Sequence, residues 1–124
     1  MMQPQTPMPF TIDRQSRPNL AFRIDAFSVP AASRSEFELL MHQNLAFLQT
    51  LPGFIQHTVF EKTDGPSQFE IVTLAVWESA EVIAAARDKV RAYYQSIGFD
   101  LPAVLARLQI TASLGYYRAP LELQ

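Results

Sequence analysis

Residues 69–94 read FEIVTLAVWESAEVIAAARDKVRAYY and carry the strongest fold signal of the chain, a strand that runs directly into a helix. Side chains alternate along a strand, so this one has two faces, Ile71, Thr73, Ala75 and Trp77 against Val72, Leu74 and Val76. Both faces are apolar, which is typical of a strand that is covered on both sides. Ser79 ends the strand and caps the helix, whose first turn contains Glu81.

The composition predicts a single globular domain. The 124 residues are 48% hydrophobic with a net charge of −2, which is enough apolar material for a core. The charges are scattered, so we expect neither a nucleic acid nor a membrane as partner. No apolar run approaches the roughly 20 residues that span a bilayer, and the N-terminus lacks the pattern of a signal peptide. We therefore expect a cytoplasmic protein.

Cysteine and histidine usage excludes several kinds of site. The chain has no cysteine and therefore no disulfide, thiolate nucleophile or zinc–thiolate centre. The two histidines, His42 and His57, are too few for a histidine-rich metal cluster. We expect His42 to be solvated and His57 to be half-buried. No cofactor motif is present, so the expected cofactor is none.

The order of the predicted elements defines the domain. Residues 1–19 hold four of the nine prolines without any period, which predicts an extended or disordered arm, or alternatively an arm laid across a partner subunit. The folded domain spans residues 20–118, and residues 119–124 form a tail. Its order is strand, helix, two strands, helix, a small extra helix and strand. This order predicts an α+β, ferredoxin-like fold with a four-stranded antiparallel sheet.

The first strand and the first helix contain polar residues in unusual places. The first strand has an apolar face and a mixed face, and the mixed face contains Arg23 and Asp25. Ser33 with Glu36, or Ser35 with Glu38, predicts a capping box at the start of the helix. Asn44 falls in the middle of the apolar stripe of this helix. Because a buried amide must be hydrogen-bonded, Asn44 either binds a backbone group or faces a polar pocket.

The second strand, residues 54–61, is predicted to alternate regularly, with Phe54, Gln56, Thr58 and Phe60 opposite Ile55, His57, Val59 and Glu61. Two helices cover only one side of a four-stranded sheet, yet the second side is also apolar. Packing that side against the same side of a second copy removes it from water. We therefore predict a homodimer that forms through the sheet faces.

Three features resemble the antibiotic biosynthesis monooxygenase superfamily of dimeric α+β barrels: the stretch AVWESAE at residues 75–81, the stretch LPGF at residues 51–54, and the element order. The resemblance covers residues 20–118. It implies a pocket between the sheet and the helices, and oxidation of a small electron-rich aromatic or quinol-type substrate by dioxygen without metal or flavin. Trp77 matches the family's tryptophan at the end of the third strand.

Such chemistry agrees with the residues at hand. A phenol, anthrone or hydroquinone that has lost a proton reduces dioxygen itself, so a dry pocket, a base and hydrogen-bond donors suffice. Trp77 either stacks on an aromatic substrate or fills the core. Asn44 is a candidate donor to a substrate oxygen, and Tyr93 is a second donor or a proton relay. Asp25 is a candidate base if its face is covered by helices; otherwise Asp25 and Arg23 form a salt bridge near the subunit interface, which we favour.

Two alternative functions remain at this point. The first is a non-catalytic dimeric module that binds a hydrophobic metabolite. The second is haem degradation, because a branch of the same superfamily degrades haem. Those members resemble this chain at Trp77, but they bind iron through a histidine on the second helix, and residues 79–97 contain none. They also have an asparagine on the first strand where this chain has Asp25. We therefore do not expect haem degradation.

Overall fold

The computed structural model describes residues 19–124 and contains the predicted order of elements. The strands are β1 (Ala21–Ser28), β2 (Phe54–Glu61), β3 (Ile71–Trp77) and β4 (Thr111–Arg118). The helices are α1 (Arg34–Leu48), α2 (Ala80–Ser96) and α3 (Leu101–Arg107), with short 3₁₀ turns at Ala31–Ser33 and Leu121–Leu123. The predicted N-terminal arm lies outside the described residues except for Asn19.

The strands form one antiparallel sheet in the order β2-β3-β1-β4. This order is the one that a split βαβ arrangement requires, because each helical connection joins two strands that have one other strand between them. The predicted α+β, ferredoxin-like fold is confirmed. No helix within residues 19–124 has both the length and the apolar character that crossing a membrane requires.

Two of the three α-helices have a side-chain hydrogen bond at their N-cap residue. The hydroxyl of Ser79 accepts a hydrogen bond from the Val82 N–H at 3.1 Å, and the carboxylate of Asp100 accepts one from the Ala103 N–H at 3.2 Å. The predicted capping box of α1 is wrong. Ser33 occupies the cap position, but its hydroxyl donates to the carbonyl of Leu108 at 2.7 Å, which joins the start of α1 to the end of α3.

The regular alternation predicted for β2 is also wrong, because the strand has a bulge. Phe54 pairs with Trp77, whereas Gln56 pairs with Val76, so Ile55 is one extra residue on the β2 side. Phe54 therefore shares a face with His57 instead of with Gln56. Regular alternation is the default expectation for a strand, and no glycine within it marked the bulge.

Gly53 sets the approach of this hairpin to α2. Its φ is +82°, in the left-handed region, and a Cβ at this position would lie 2.0 Å from Cγ1 of Val82. The Gly53 carbonyl also accepts a hydrogen bond from the Glu78 N–H at 2.9 Å. The start of α2 consequently rests directly on the backbone before β2, next to Trp77.

The face of the sheet that contains Trp77 is covered by helices, and we name it the helix-covered face. It holds two clusters of buried side chains, one around Trp77 and one around Phe37. Their other buried members are Ala21, Leu51, Ala75, Ile83 and Ala86 in the first, and Ile71, Leu108 and Ile110 in the second. Trp77 therefore faces the helices of its own chain.

We name the opposite side of the sheet the outer face. Its buried cluster consists of Leu20, Phe22 and Val76, with Ile24 and Leu74 among the side chains packed against it, and no residue of a helix takes part. Elsewhere on this face Phe60 and Tyr117 are 49% and 53% exposed. The predicted homodimer through this face remains a prediction.

Candidate active site

A cleft of about 670 Å³ opens between the helix-covered face and the helices. Members of both buried clusters line it, among them Trp77 and Phe37. The lining is mostly apolar, with a small number of polar and charged side chains. Its volume and composition are those of sites that bind small organic molecules, which typically measure about 300–1,000 Å³.

The floor of the cleft follows from the register of the strands. His57, Ala75, Arg23 and Tyr116 stand in one row across the sheet on the helix-covered face. Ala75 is the small residue in the middle of this row. Ala75, Arg23 and Tyr116 line the cleft, whereas His57 stands in the same row without lining it.

Asp25 and Arg23 lie on this floor, which corrects the account that we favoured from the sequence. Their face of β1 is the helix-covered one and not the outer one, so the pair is no salt bridge at a sheet-to-sheet interface. Nε of Arg23 donates to Oδ1 of Asp25 at 2.6 Å, and the side chains are 26% and 18% exposed. Burial raises the pKa of the Asp25 carboxyl above its usual range, against the opposing effect of the Arg23 charge.

His57 is half-buried on β2, as the sequence predicted, and His42 is exposed on α1. Burial lowers the pKa of His57, and the negative charge of Asp25 acts in the opposite direction. The imidazole is therefore an electrostatic neighbour of Asp25. It lies beyond Ala75, on the far side of the row from Arg23.

Asn44 is bound by a tyrosine across the cleft. The Tyr94 hydroxyl donates to Oδ1 of Asn44 at 2.8 Å, which joins α2 to α1. Of the two outcomes expected for Asn44, binding a backbone group is wrong, and contact with a polar partner in a pocket is what the structure contains. The hydrogen bond uses the amide oxygen and leaves the Nδ2 donors of Asn44 for another acceptor. Burial raises the pKa of Tyr94, so its hydroxyl keeps its proton at neutral pH.

Tyr93 and Trp77 also contribute to the lining of the cleft. The ring of Tyr93 stacks on Phe47 with the centroids 4.2 Å apart and the planes at 14°. Trp77 is only 3% exposed and meets Phe54 edge to face at 5.3 Å. Trp77 is thus a buried core residue that also forms part of the cleft wall, and its stacking on a substrate stays a prediction.

Tyr116 and two arginines form the other polar group of the cleft. The guanidinium carbon of Arg23 lies 4.5 Å from the centroid of the Tyr116 ring, and that of Arg87 lies 5.2 Å from it. Both distances are within the range of cation–π attraction. Three elements, β1, β4 and α2, therefore meet at one aromatic ring.

The structure brings all four predicted site residues, Asp25, Asn44, Trp77 and Tyr93, to the same cleft. Sequence reasoning missed Tyr94, Arg87 and Tyr116. Tyr94 follows Tyr93 directly, and one residue corresponds to 100° of helix rotation, so the sequence did not show which of the two tyrosines meets Asn44. No property of the sequence alone indicated that Arg23 and Arg87 meet at the ring of Tyr116.

A family model described as antibiotic biosynthesis monooxygenase matches residues 22–92, more than half of the chain. The chain belongs to this family. The match begins in β1 and ends in α2, so it includes Asp25, Asn44 and Trp77.

Solved structures share the fold of this antibiotic biosynthesis monooxygenase family member. SnoaB from Streptomyces nogalater, described as a cofactor-independent oxygenase, is 28% identical, with a TM-score of 0.56 over 82% of this chain and 94% of its own. A haem-degrading protein from Mycobacterium tuberculosis is 20% identical, with a TM-score of 0.53 over 82% and 92%. A conserved protein from Methanosarcina mazei is 21% identical, with a TM-score of 0.61 over 86% and 99%.

The latter two similarities concern the fold alone. No protein with curated annotation matches the chain in sequence. Within residues 19–124, this chain has no group of three or more histidine, cysteine, aspartate or glutamate side chains that would hold a metal ion.

Proposed function

We propose that this protein is a cofactor-independent monooxygenase of small electron-rich aromatic or quinol-type substrates. With an anthrone, the reaction consumes one dioxygen, converts the reactive CH₂ carbon to a carbonyl, and releases one water. One oxygen atom enters the substrate and the other leaves as water, so no external reductant is needed.

A single observation carries this proposal: one mostly apolar cleft contains a carboxylate with a raised pKa and an amide with unused donors. The carboxylate belongs to Asp25 and the amide to Asn44. The charges of Arg23 and Asp25 both act on the Tyr94 hydroxyl, which indicates that the two polar groups share one region of the cleft. SnoaB, which shares the fold at 28% identity, is a cofactor-independent oxygenase.

In the proposed first step, Asp25 removes a proton from the substrate. A carboxylate whose pKa is raised by burial is a stronger base than an exposed one, which favours transfer from a weakly acidic carbon or phenol. The Nδ2 donors of Asn44 stabilise the oxyanion that forms, in an apolar surrounding where such hydrogen bonds are strong.

In the second step, the substrate anion gives electrons to dioxygen and the new carbon–oxygen bond forms. Protonation by the Asp25 carboxyl and loss of water complete the reaction and restore the base. The aromatic rings of Trp77 and Tyr93 line the cleft and keep water from the anion.

The test is oxygen uptake with a panel of anthrones and hydroquinones. We expect a rate above the uncatalysed one and a loss of about 10-fold or more in Asn44→Ala, since an oxyanion donor is typically worth at least this much. His42→Ala is the matched control, because His42 is exposed on the same helix. Trp77→Ala is expected to lose activity as well, together with several kcal/mol of stability. No uptake across the panel would contradict the proposal.

The cleft argues against a non-catalytic protein whose interior is filled with side chains. A non-catalytic module that binds a hydrophobic metabolite would need the same cleft, and the oxygen-uptake measurement distinguishes it from the oxygenase. As part of the same proposal, the protein is a homodimer through its outer face. The apolar residues Leu74 and Val76 lie on that side of β3, where no helix covers them. Light scattering at micromolar concentration tests this assembly. The expected cytoplasmic location stays a prediction.

A further inference from the structure

We propose that the cleft contains an anion-binding subsite, formed by Arg87 and Arg23 on the ring of Tyr116, that takes a carboxylate on the aromatic substrate. This inference rests on the proposed function and specifies its substrate class. The subsite uses the N–H donors of Arg87 and Arg23, whereas the Nδ2 donors of Asn44 are the candidate partners of the reacting oxygen.

The cleft is positively charged although the chain is not. The charged residues in its lining are three arginines (Arg23, Arg87 and Arg91) and two aspartates (Asp25 and Asp100), so three positive minus two negative charges leaves +1. The chain as a whole has a net charge of −2. Asp88, which lies outside the lining, is paired with Arg91, so Arg87 is the cation of the lining that is left to favour an anionic ligand over a neutral one of the same shape.

Arg87 is the cation that lacks a carboxylate partner. Arg23 is paired with Asp25, and Arg91 lies 3.6 Å from Asp88. Among residues 19–124, no aspartate or glutamate lies within salt-bridge distance of Arg87. Its contact at the cleft is the Tyr116 ring, 5.2 Å from the guanidinium carbon.

A guanidinium held by an aromatic ring keeps N–H donors for a further acceptor. Arg23 donates its Nε–H to Asp25, so the N–H groups of its two terminal nitrogens are left for another acceptor. Tyr116 attracts both cations and thereby brings their donors together at one place. Paired N–H donors match the two oxygens of a carboxylate, which is why arginine is the usual partner of this group.

The arrangement also explains how a substrate is oriented. A carboxylate bound at Arg87 and Arg23 holds one end of a flat molecule over β4. The remainder of the molecule then lies in the same cleft as the Asn44 amide. The charged group fixes which ring edge meets the base, so it contributes position as well as affinity.

Binding measured by isothermal titration calorimetry tests the subsite independently of turnover. The probes are naphthoate and naphthamide, which have the same shape and differ in charge at neutral pH. We expect wild type to bind naphthoate about 10-fold more tightly than naphthamide, with the preference reduced at high salt. Arg87→Gln should lower naphthoate affinity about 5-fold and leave naphthamide affinity unchanged, and Arg87→Lys should recover part of the loss.

Arg91→Gln is the matched control, because it removes one positive charge from the same helix and the same lining. Equal binding of the two probes to wild type, binding of neither, or equal losses in Arg87→Gln and Arg91→Gln would each overturn the proposal. Dinitrophenolate, whose charge is on the ring oxygen, separates the two sources of an anion. If Arg87→Gln weakens it as much as naphthoate, the subsite receives the ring oxygen and the carboxylate assignment is wrong. Oxygen uptake with neutral anthrones tests the proposed oxygenase activity whatever these titrations show.

Discussion

The two faces of the sheet differ in the polarity of their side chains and in what covers them. On the helix-covered face, β1 contributes Arg23 and Asp25, which border a cleft. On the outer face, the same strand contributes Phe22 and Ile24 to an apolar cluster that contains no helical residue. Alternation of side chains is sufficient to produce this separation. A strand eight residues long thus serves a candidate site and a candidate interface at once.

The difference shows where polar residues are tolerated. Burying a charge is costly unless it is paired, and Asp25 is paired with Arg23. The outer face avoids that cost by presenting apolar side chains, such as Phe60 at its edge. We therefore expect substitutions on the first face to affect chemistry, and those on the second to affect assembly.

The largest effect is expected from Asp25→Asn on the helix-covered face. Loss of the base should reduce oxygen uptake with an anthrone by about 100-fold or more, since general bases typically contribute 10²–10⁴-fold. The association state should not change. The control is Asp88→Asn, an exposed aspartate on α2 that pairs with Arg91.

The pH profile sharpens this prediction. The wild-type rate should rise with pH through a midpoint above the usual aspartate pKa of about 3.9, because burial raises the pKa of Asp25 and only the ionised form accepts a proton. The residual rate of Asp25→Asn should lack this midpoint. A wild-type profile that is flat across the acidic range would show that Asp25 is not the base.

The next effect is expected on the outer face, from Phe60→Asp. A charge placed in a sheet-to-sheet interface should weaken the dimer by about 2 kcal/mol, or about 30-fold in Kd. Oxygen uptake in the remaining dimer should stay close to wild type. Sedimentation or light scattering over a concentration series measures the shift. Leu39→Asp is the control, because Leu39 is an exposed leucine on α1.

A smaller effect is expected from Tyr94→Phe. The phenylalanine keeps the ring that packs edge to face on Phe99, but it removes the hydroxyl that orients Asn44. The loss of one hydrogen bond should lower kcat about fivefold. Tyr117→Phe is the matched control, since Tyr117 is exposed on the outer face. An equal loss in both variants would show that orientation of Asn44 is not the cause.

The smallest effect concerns His57 and stability. Its folded-state pKa is lowered below about 6.5, so its contribution to stability is complete above that pH and is lost as pH falls through the folded-state pKa. Urea unfolding of wild type and His57→Gln at each pH should show a difference that shrinks or reverses on acidification. The raised pKa of Asp25 has the opposite sign and is common to both proteins, so it largely cancels in the comparison.

Much of the fold could be predicted because the signals are local. Alternation in β3, the Ser79 cap and the positions of Gly53 and Gly98 each depend on a few neighbouring residues. The capping box of α1 failed because Ser33 and Glu36 found partners in α3, 75 and 71 residues away. Tertiary contacts of this kind compete with local ones, and the sequence does not show which prevails.

The site was predictable as a set of residues but not as a set of contacts. Asn44 stood out because an amide in an apolar stripe needs a partner. That its partner is Tyr94 and not Tyr93 depends on the rotation of α2 over the sheet. The face of β1 could not be assigned either, since Arg23 and Asp25 alternate with apolar residues that suit a core equally well.

The bulge at Ile55 has a consequence for how β2 tolerates insertions and deletions. It inverts the parity of the strand, so the residues before and after it obey opposite odd–even rules. Gln56 already pairs with Val76, so deletion of Ile55 with Phe54 kept against Trp77 would remove the bulge without changing which residues pair. Because of the bulge, an even-numbered residue, Phe54, and an odd-numbered one, His57, lie on the same face of the sheet. Deletion of Ile55 is therefore compatible with the register of β2, whereas deletion of one residue at 56–61 would move part of the strand to the opposite face of the sheet.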